Sequence, residues 1–173
     1  MIRLTAALCA LLAASPALAD EVYIGGSFHG VDTPFTLESG ERGHDVQFGY
    51  RTDRIEALGA IGKPQVHVHG QVSVAGRTSL AAVGLGWKIG GKVYVRPGIG
   101  LAIHNDRMPE FDAKGRRLDL GSRVLFAPEI SLGARLSERV ALEASWVHVS
   151  HATLLSGQNP GMDFIGARAV FRL

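Results

Sequence analysis

Residues 140–150 read VALEASWVHVS, and this run decides the fold. Val140, Leu142, Ala144 and Trp146 alternate with positions that include the polar Glu143 and Ser145. Successive side chains of a strand point to opposite faces, so period two puts an oily face on one side and a polar face on the other. The preceding stretch repeats it: Val124, Phe126, Pro128, Ile130, Leu132 and Ala134 against Arg123, Glu129, Ser131 and Arg135. Working outward, the alternation returns at Val22/Ile24, Val46/Phe48/Tyr50, Val66/Val68/Val72/Val74 and Ala81/Val83/Leu85/Trp87. It returns again at Val93/Val95/Ile99/Leu101/Ile103 and at Ile165/Ala167/Ala169/Phe171/Leu173. Eight strands result, and no window keeps a helical apolar stripe.

Composition limits the class of molecule. A chain of 173 residues suits one domain. With 46% hydrophobic against 20% charged residues it is not a disordered chain. A formal net charge of +2 offers no field for nucleic acid.

The N-terminus reads as an address. Residues 1–19 carry Arg3, an apolar core around Leu8 to Leu12, and Ala17-Leu18-Ala19 before Asp20 and Glu21. That is the plan of a cleavable secretory signal; its core is shorter than the ~20 apolar residues of a spanning helix. It contains the chain's single cysteine, Cys9, so the expected mature domain, 20–173, has no disulfide and is held by packing and hydrogen bonds.

Connections and polarity choose the kind of barrel. Tight links at 89–92 and 136–139 alternate with longer ones at about 29–43, 104–122 and 151–162, the asymmetry of periplasmic turns and external loops. The link near 53–64 is longer than this pattern predicts. Arg51, Arg96, Arg123, Glu129, Arg135, Glu143 and Arg168 share the polar parity and carry both signs of charge, which suits pairing across a narrow lumen. The expectation is an all-β, eight-stranded antiparallel transmembrane barrel with its oily face on lipid; a soluble barrel would turn that face inward. Trp87, Phe126, Trp146 and Phe171 then face lipid, and Arg96, Glu129 and Arg168 the lumen.

Parity also locates the chemistry. Beyond Trp146 the outward positions are His148 and Ser150, an imidazole and a hydroxyl where the pattern calls for apolar groups. Residues two apart lie about 6.8 Å apart on one face, and a Ser beside a His is the minimal activated nucleophile. Counting back from Leu173 puts Asp163 on the outward parity too. If 151–162 joins neighbouring antiparallel strands, base, nucleophile and acid meet at one rim. The bland alternative is that each is an interfacial headgroup contact.

The segment WVHVSHA at 146–152, followed by NPGMD at 159–163, resembles the C-terminal signature of PagL-type lipid A 3-O-deacylases. The resemblance implies an outer-membrane barrel that hydrolyses the ester-linked acyl chain at the 3-position of lipid A. It further implies Ser150 as nucleophile, His148 as general base and Asp163 as orienting acid, with no metal or other cofactor. Two positions depart from the family pattern: His151 stands where Asn usually follows the Ser, and Asp163 where the acid is usually Glu. Asp–His pairs serve in triads on other folds. Oxyanion support then falls to His151, through its backbone N–H or ring, or to the Asn159 amide.

A site on the outer wall meets lipid A laterally, since its ester lies just below the headgroups. Arg107, Lys114, Arg116 and Arg117 in the 104–122 loop are candidate contacts for the lipopolysaccharide phosphates. His67 and His69 share one polar face but lack a third ligand for a metal. Gly84/Gly86 and Gly98/Gly100 lie inside strands with no following helix, which excludes a nucleotide loop. Competing readings are a structural or adhesive barrel and an outer-membrane phospholipase or acyltransferase using the same Ser and His.

Overall fold

The computed structural model describes residues 20–36, 40–107, 120–152, 154 and 160–173; the expected signal segment lies outside them. The strands are β1 (Glu21–His29), β2 (Gly43–Arg51), β3 (Gln65–Ser73), β4 (Leu80–Gly86), β5 (Ile89–Gly90), β6 (Val93–His104), β7 (Val124–Phe126), β8 (Glu129–Arg135), β9 (Val140–Val149) and β10 (Met162–Arg172). All pairings are antiparallel, and β4 pairs with β6 to close the sheet on itself.

Two of these breaks are local. Gly98 lies opposite Glu129 and Leu101 opposite Phe126 in one unshifted register, so β7 and β8 are one barrel strand. It is interrupted at Pro128, which has no N–H to give the ladder. Likewise β4 and β5 face β6 in a single register. The barrel therefore has the eight antiparallel strands that the alternation predicts.

The oily face is outside. Ile24, Val68, Ile99 and Leu132 are 56, 51, 51 and 62% exposed, while Arg51, Arg96 and Arg168 are 0, 0 and 1% exposed. That inversion of the usual burial rule is the signature of a barrel with lipid as its solvent. Phe126 and Phe171 face outward as expected. The two tryptophans share that parity but are half-buried, because each is covered by a loop.

The lumen is packed with paired charge. Arg51 holds Glu143 through two bonds of 2.8 Å, and the Tyr94 hydroxyl donates to the same carboxylate at 2.8 Å. Arg96 and Arg168 both donate to Glu129, and Arg168 Nε donates to Gln47 Oε1 at 2.6 Å. The Tyr23 ring lies beneath the guanidiniums of Arg51 and Arg168, at 4.6 and 4.7 Å. Glycines make the room: a Cβ on Gly86 would fall 2.2 Å from Arg96 Nη2, and one on Gly133 2.2 Å from Tyr94 Cζ. Arg123 and Arg135, expected in this network, are instead exposed. They sit at strand ends, where the polar parity no longer faces an enclosed lumen.

The long link after β2 has a physical explanation. A short 3₁₀ helix, η1 (Glu56–Ile61), ends at Gly62 in the left-handed region, φ 86°. Trp87 donates its indole N–H to Ile61 O at 2.7 Å, so the extra residues form a cover over an outward tryptophan. Both ends of the described barrel lie on this side, where Leu173 N–H reaches Asp20 O at 2.9 Å. The links after β1, β3, β6 and β9 leave from the other end.

Candidate active site

The site stands at the loop-bearing end of the β9–β10 wall, and the register builds it. His148 and Asp163 are direct cross-strand partners, so the two outward side chains are neighbours without help from any loop. His148 Nδ1 donates to Asp163 Oδ1 at 2.7 Å. The His148 backbone is fixed from the other side, its N–H reaching Pro128 O at 3.0 Å. With Nδ1 turned to the acid, Nε2 is left for a reacting partner.

Ser150 lies two residues on, just past the end of β9. The β9–β10 ladder stops at Val149 opposite Met162, and Ser150 stays in the sheet by pairing with Phe126 on its other side. The two exchange N–H to O bonds of 3.1 and 2.7 Å. Its hydroxyl shares the wall with the imidazole, but among the described residues no hydrogen bond joins Ser150 to His148. Catalytic pairs of this kind are commonly loose without substrate.

The loop between β1 and β2 covers the acid, which sequence periodicity did not indicate. Val31 N–H bonds Asp163 O at 3.0 Å, and the Thr33 hydroxyl donates to Asp163 Oδ2. Asp163 is thereby 0% exposed although it points away from the lumen. Phe35 lies tilted over Trp146 at 5.5 Å and edges onto His148 at 6.4 Å, which is why Trp146 is half-buried. Gly161, with φ 64°, passes so close that a Cβ would lie 3.0 Å from His148 Cε1. Signals existed for two of these. Thr33 and Thr36 bracket a proline and bond the local backbone as such turns do, and Pro160-Gly161 is a turn dipeptide. Neither signal says which side chain the turn will touch.

The remaining candidates fall as follows. His151 takes the opposite parity to Ser150 and is fully buried, which leaves its backbone N–H as the part next to the nucleophile. Arg107 is exposed, and its backbone N–H is bound to Thr78 Oγ1 at 3.0 Å in the loop after β3, away from the β9–β10 wall. Asn159, Lys114, Arg116 and Arg117 lie outside the described residues. His67 accepts from Arg96 at 3.2 Å and His69 hydrogen-bonds the Tyr23 hydroxyl at 2.8 Å, so both imidazoles belong to the lumen network. No group of three possible metal ligands occurs among the described residues.

Beside Asp163 the wall is hollowed. A groove of about 410 Å³ runs over Gly26, Gly166 and Ala167 between Phe28, His44 and Ile165. Its walls are largely apolar and suited to hydrocarbon, and none of His148, Ser150 and Asp163 lines it.

Comparison with known proteins gives the family and the barrel. The model of the family described as lipid A 3-O-deacylase (PagL) matches residues 45–172. Among solved structures, the outer-membrane enzyme PagL superposes with a TM-score of 0.61 at 15% identity, covering 90% of this chain and all of that one. Neisserial surface protein A gives 0.56 at 10% identity, covering 89% and 97%. A designed transmembrane β-barrel gives 0.50 at 11% identity, covering 92% and 98%. At these identities the structures speak for the barrel alone. No curated protein sequence matches closely enough to add to them.

Proposed function

The chain belongs to the lipid A 3-O-deacylase (PagL) family, and from that premise we propose that it is an outer-membrane esterase that removes the 3-O-linked acyl chain of lipid A using Ser150, His148 and Asp163. The observation that carries the assignment of residues is the 2.7 Å bond between His148 Nδ1 and Asp163 Oδ1 on the lipid-facing wall. A hydrogen-bonded pair aimed at lipid contributes little to a barrel already held by its lumen, whereas a His with one nitrogen fixed by an acid is a poised base.

The reaction proceeds in two halves. His148 Nε2 takes the Ser150 hydroxyl proton as Oγ attacks the ester carbonyl, and Asp163 stabilises the imidazolium that results. Collapse of the tetrahedral intermediate breaks the bond to the sugar oxygen, and His148 returns the proton to that oxygen. Water then attacks the acyl-serine with His148 again as base, releasing the fatty acid and restoring Ser150. The backbone N–H of His151, directly after the nucleophile, is the assigned oxyanion donor, with the Asn159 amide as a second; one such donor is worth about 10²–10³ in rate. The released chain lies along the groove between Phe28 and Ile165, parallel to neighbouring lipids.

Purified lipopolysaccharide incubated with the protein in detergent should release 3-hydroxy fatty acid. Ser150→Ala and His148→Ala should each abolish that release while heat-modifiable gel migration reports a folded barrel. Full release by either variant would sink the assignment, and release from glycerophospholipid alone would move the protein to the phospholipase reading.

A further inference from the structure

The outward wall of β9 and β10 holds three members of the proposed site, yet the carboxylate of Asp163 has two oxygens and His148 engages only one. The other, Oδ2, is buried with the rest of the side chain. Its hydrogen-bond partner is the Thr33 hydroxyl, which arrives from the loop between β1 and β2. A buried carboxylate oxygen left without a donor costs more than the bond itself is worth, so such an oxygen turns to find one. A carboxylate that turns does so about the same bond that orients Oδ1 on His148.

The polarity of the Thr33 hydroxyl is fixed by its surroundings. Phe35 N–H donates to Thr33 Oγ1 at 3.1 Å, occupying an acceptor position. The single hydroxyl proton is thus directed to Asp163, giving a chain from Phe35 N–H through Thr33 to Asp163, and from His148 Nδ1–H to the same carboxylate. Delivery of Thr33 is itself secured by the Val31 N–H to Asp163 O bond and by the turn that Thr36 closes, where Thr33 N–H reaches Thr36 Oγ1 at 3.2 Å.

We propose that Thr33 is a positioning residue for ester hydrolysis: its hydroxyl clamps the free oxygen of Asp163, so that the acid presents Oδ1 to His148, and the loop between β1 and β2 is part of the active site. This rests on the role proposed above for Ser150, His148 and Asp163. Thr33 touches neither substrate nor the reacting atoms, and its effect passes through the acid alone.

The experiment is a double-mutant cycle on lipopolysaccharide deacylation by the full-length protein in detergent, read as kcat and KM separately. Thr33→Val keeps the side-chain shape and removes the donor. It should lower kcat by roughly ten- to a hundredfold, the range of a hydrogen bond to a charged group, with KM within about twofold. Thr33→Ser restores the donor and should keep kcat within about threefold of wild type. In an Asp163→Ala background, Thr33→Val should cost less than about twofold, because the group it acts through is gone. Equal losses in both backgrounds, or failure of serine to rescue, would make Thr33 a loop anchor only and overturn the inference. A Thr33→Val protein with wild-type kcat, alongside inactive Ser150→Ala and His148→Ala, would overturn it while leaving the triad standing. Active Ser150→Ala or His148→Ala would instead remove the reading on which it rests.

Discussion

Glu143 and Asp163 are carboxylates on adjacent strands of one barrel, five residues apart along β9 in their cross-strand positions, and they do opposite work. Glu143 faces inward, where both oxygens are taken by Arg51 and the Tyr94 hydroxyl adds a third bond. Asp163 faces outward, with one oxygen on His148 and the other on Thr33. In the lumen each charge ends on another fixed charge, so the network has nothing left to do but hold the wall together. On the outer wall the series ends on an imidazole whose second nitrogen has no hydrogen-bond partner among the described residues, two residues from a serine. Burial alone does not separate the two, since both carboxylates are nearly inaccessible. What separates them is whether the chain of bonds closes on itself or opens onto lipid.

Removing the outward acid should give the largest effect of the pair on turnover. Asp163→Asn keeps the side-chain volume but presents an amide to His148 and favours the wrong tautomer. Deacylase activity should fall about 10²–10⁴-fold, less completely than for Ser150→Ala, with gel migration unchanged. Wild-type turnover by Asp163→Asn would show that His148 does not depend on this acid, and the contrast with Glu143 would collapse.

The inward acid should show the reverse. Glu143→Ala strands the Arg51 guanidinium, which is 0% exposed, and deprives the Tyr94 hydroxyl of its acceptor. Removing one partner of a buried pair costs about 3–5 kcal/mol, visible as a lower urea midpoint and a lower temperature for loss of the compact gel form. Activity per folded molecule should stay near wild type. A Glu143→Ala protein that is stable but inactive would place the lumen in the mechanism.

How far the sequence reached follows from the same contrast. Strand parity is local and strict, so the eight strands, the inward Arg96, Glu129 and Arg168, and the shared outward face of His148 and Asp163 could all be read from alternation. Parity weakens where strands end: Arg123 and Arg135 carry the polar phase but emerge from the barrel, and Ser150, the proposed nucleophile, lies beyond the β10 ladder. Nothing in alternation could bring Thr33 to a carboxylate 130 positions away. That contact depends on β1 lying beside β10, a consequence of closure, and on the path of a loop that periodicity does not govern. The glycine in the turn before β10 was visible as a turn signal, but its closeness to His148 was not.

That glycine supplies the smallest and most selective test. Gly161 has φ 64° and Gly76, in the loop after β3, has φ 70°, so alanine at either position meets the same backbone penalty of about 1–2 kcal/mol. Their surroundings differ. A Cβ at Gly76 meets nothing within 4 Å, whereas one at Gly161 lies 3.0 Å from His148 Cε1 and 3.4 Å from Phe35 O. The imidazole is held by Asp163 at Nδ1, the ring atom next to Cε1, so making room for the Cβ by a few tenths of an ångström disturbs that bond. Displacements of that size weaken a proton transfer without abolishing it. Gly76→Ala should therefore lower stability slightly and leave deacylation unchanged, while Gly161→Ala should lower stability by a similar amount and reduce kcat several-fold. Equal kcat in the two variants would mean that the turn before β10 is merely a turn, and that the position of His148 is set by the strands alone.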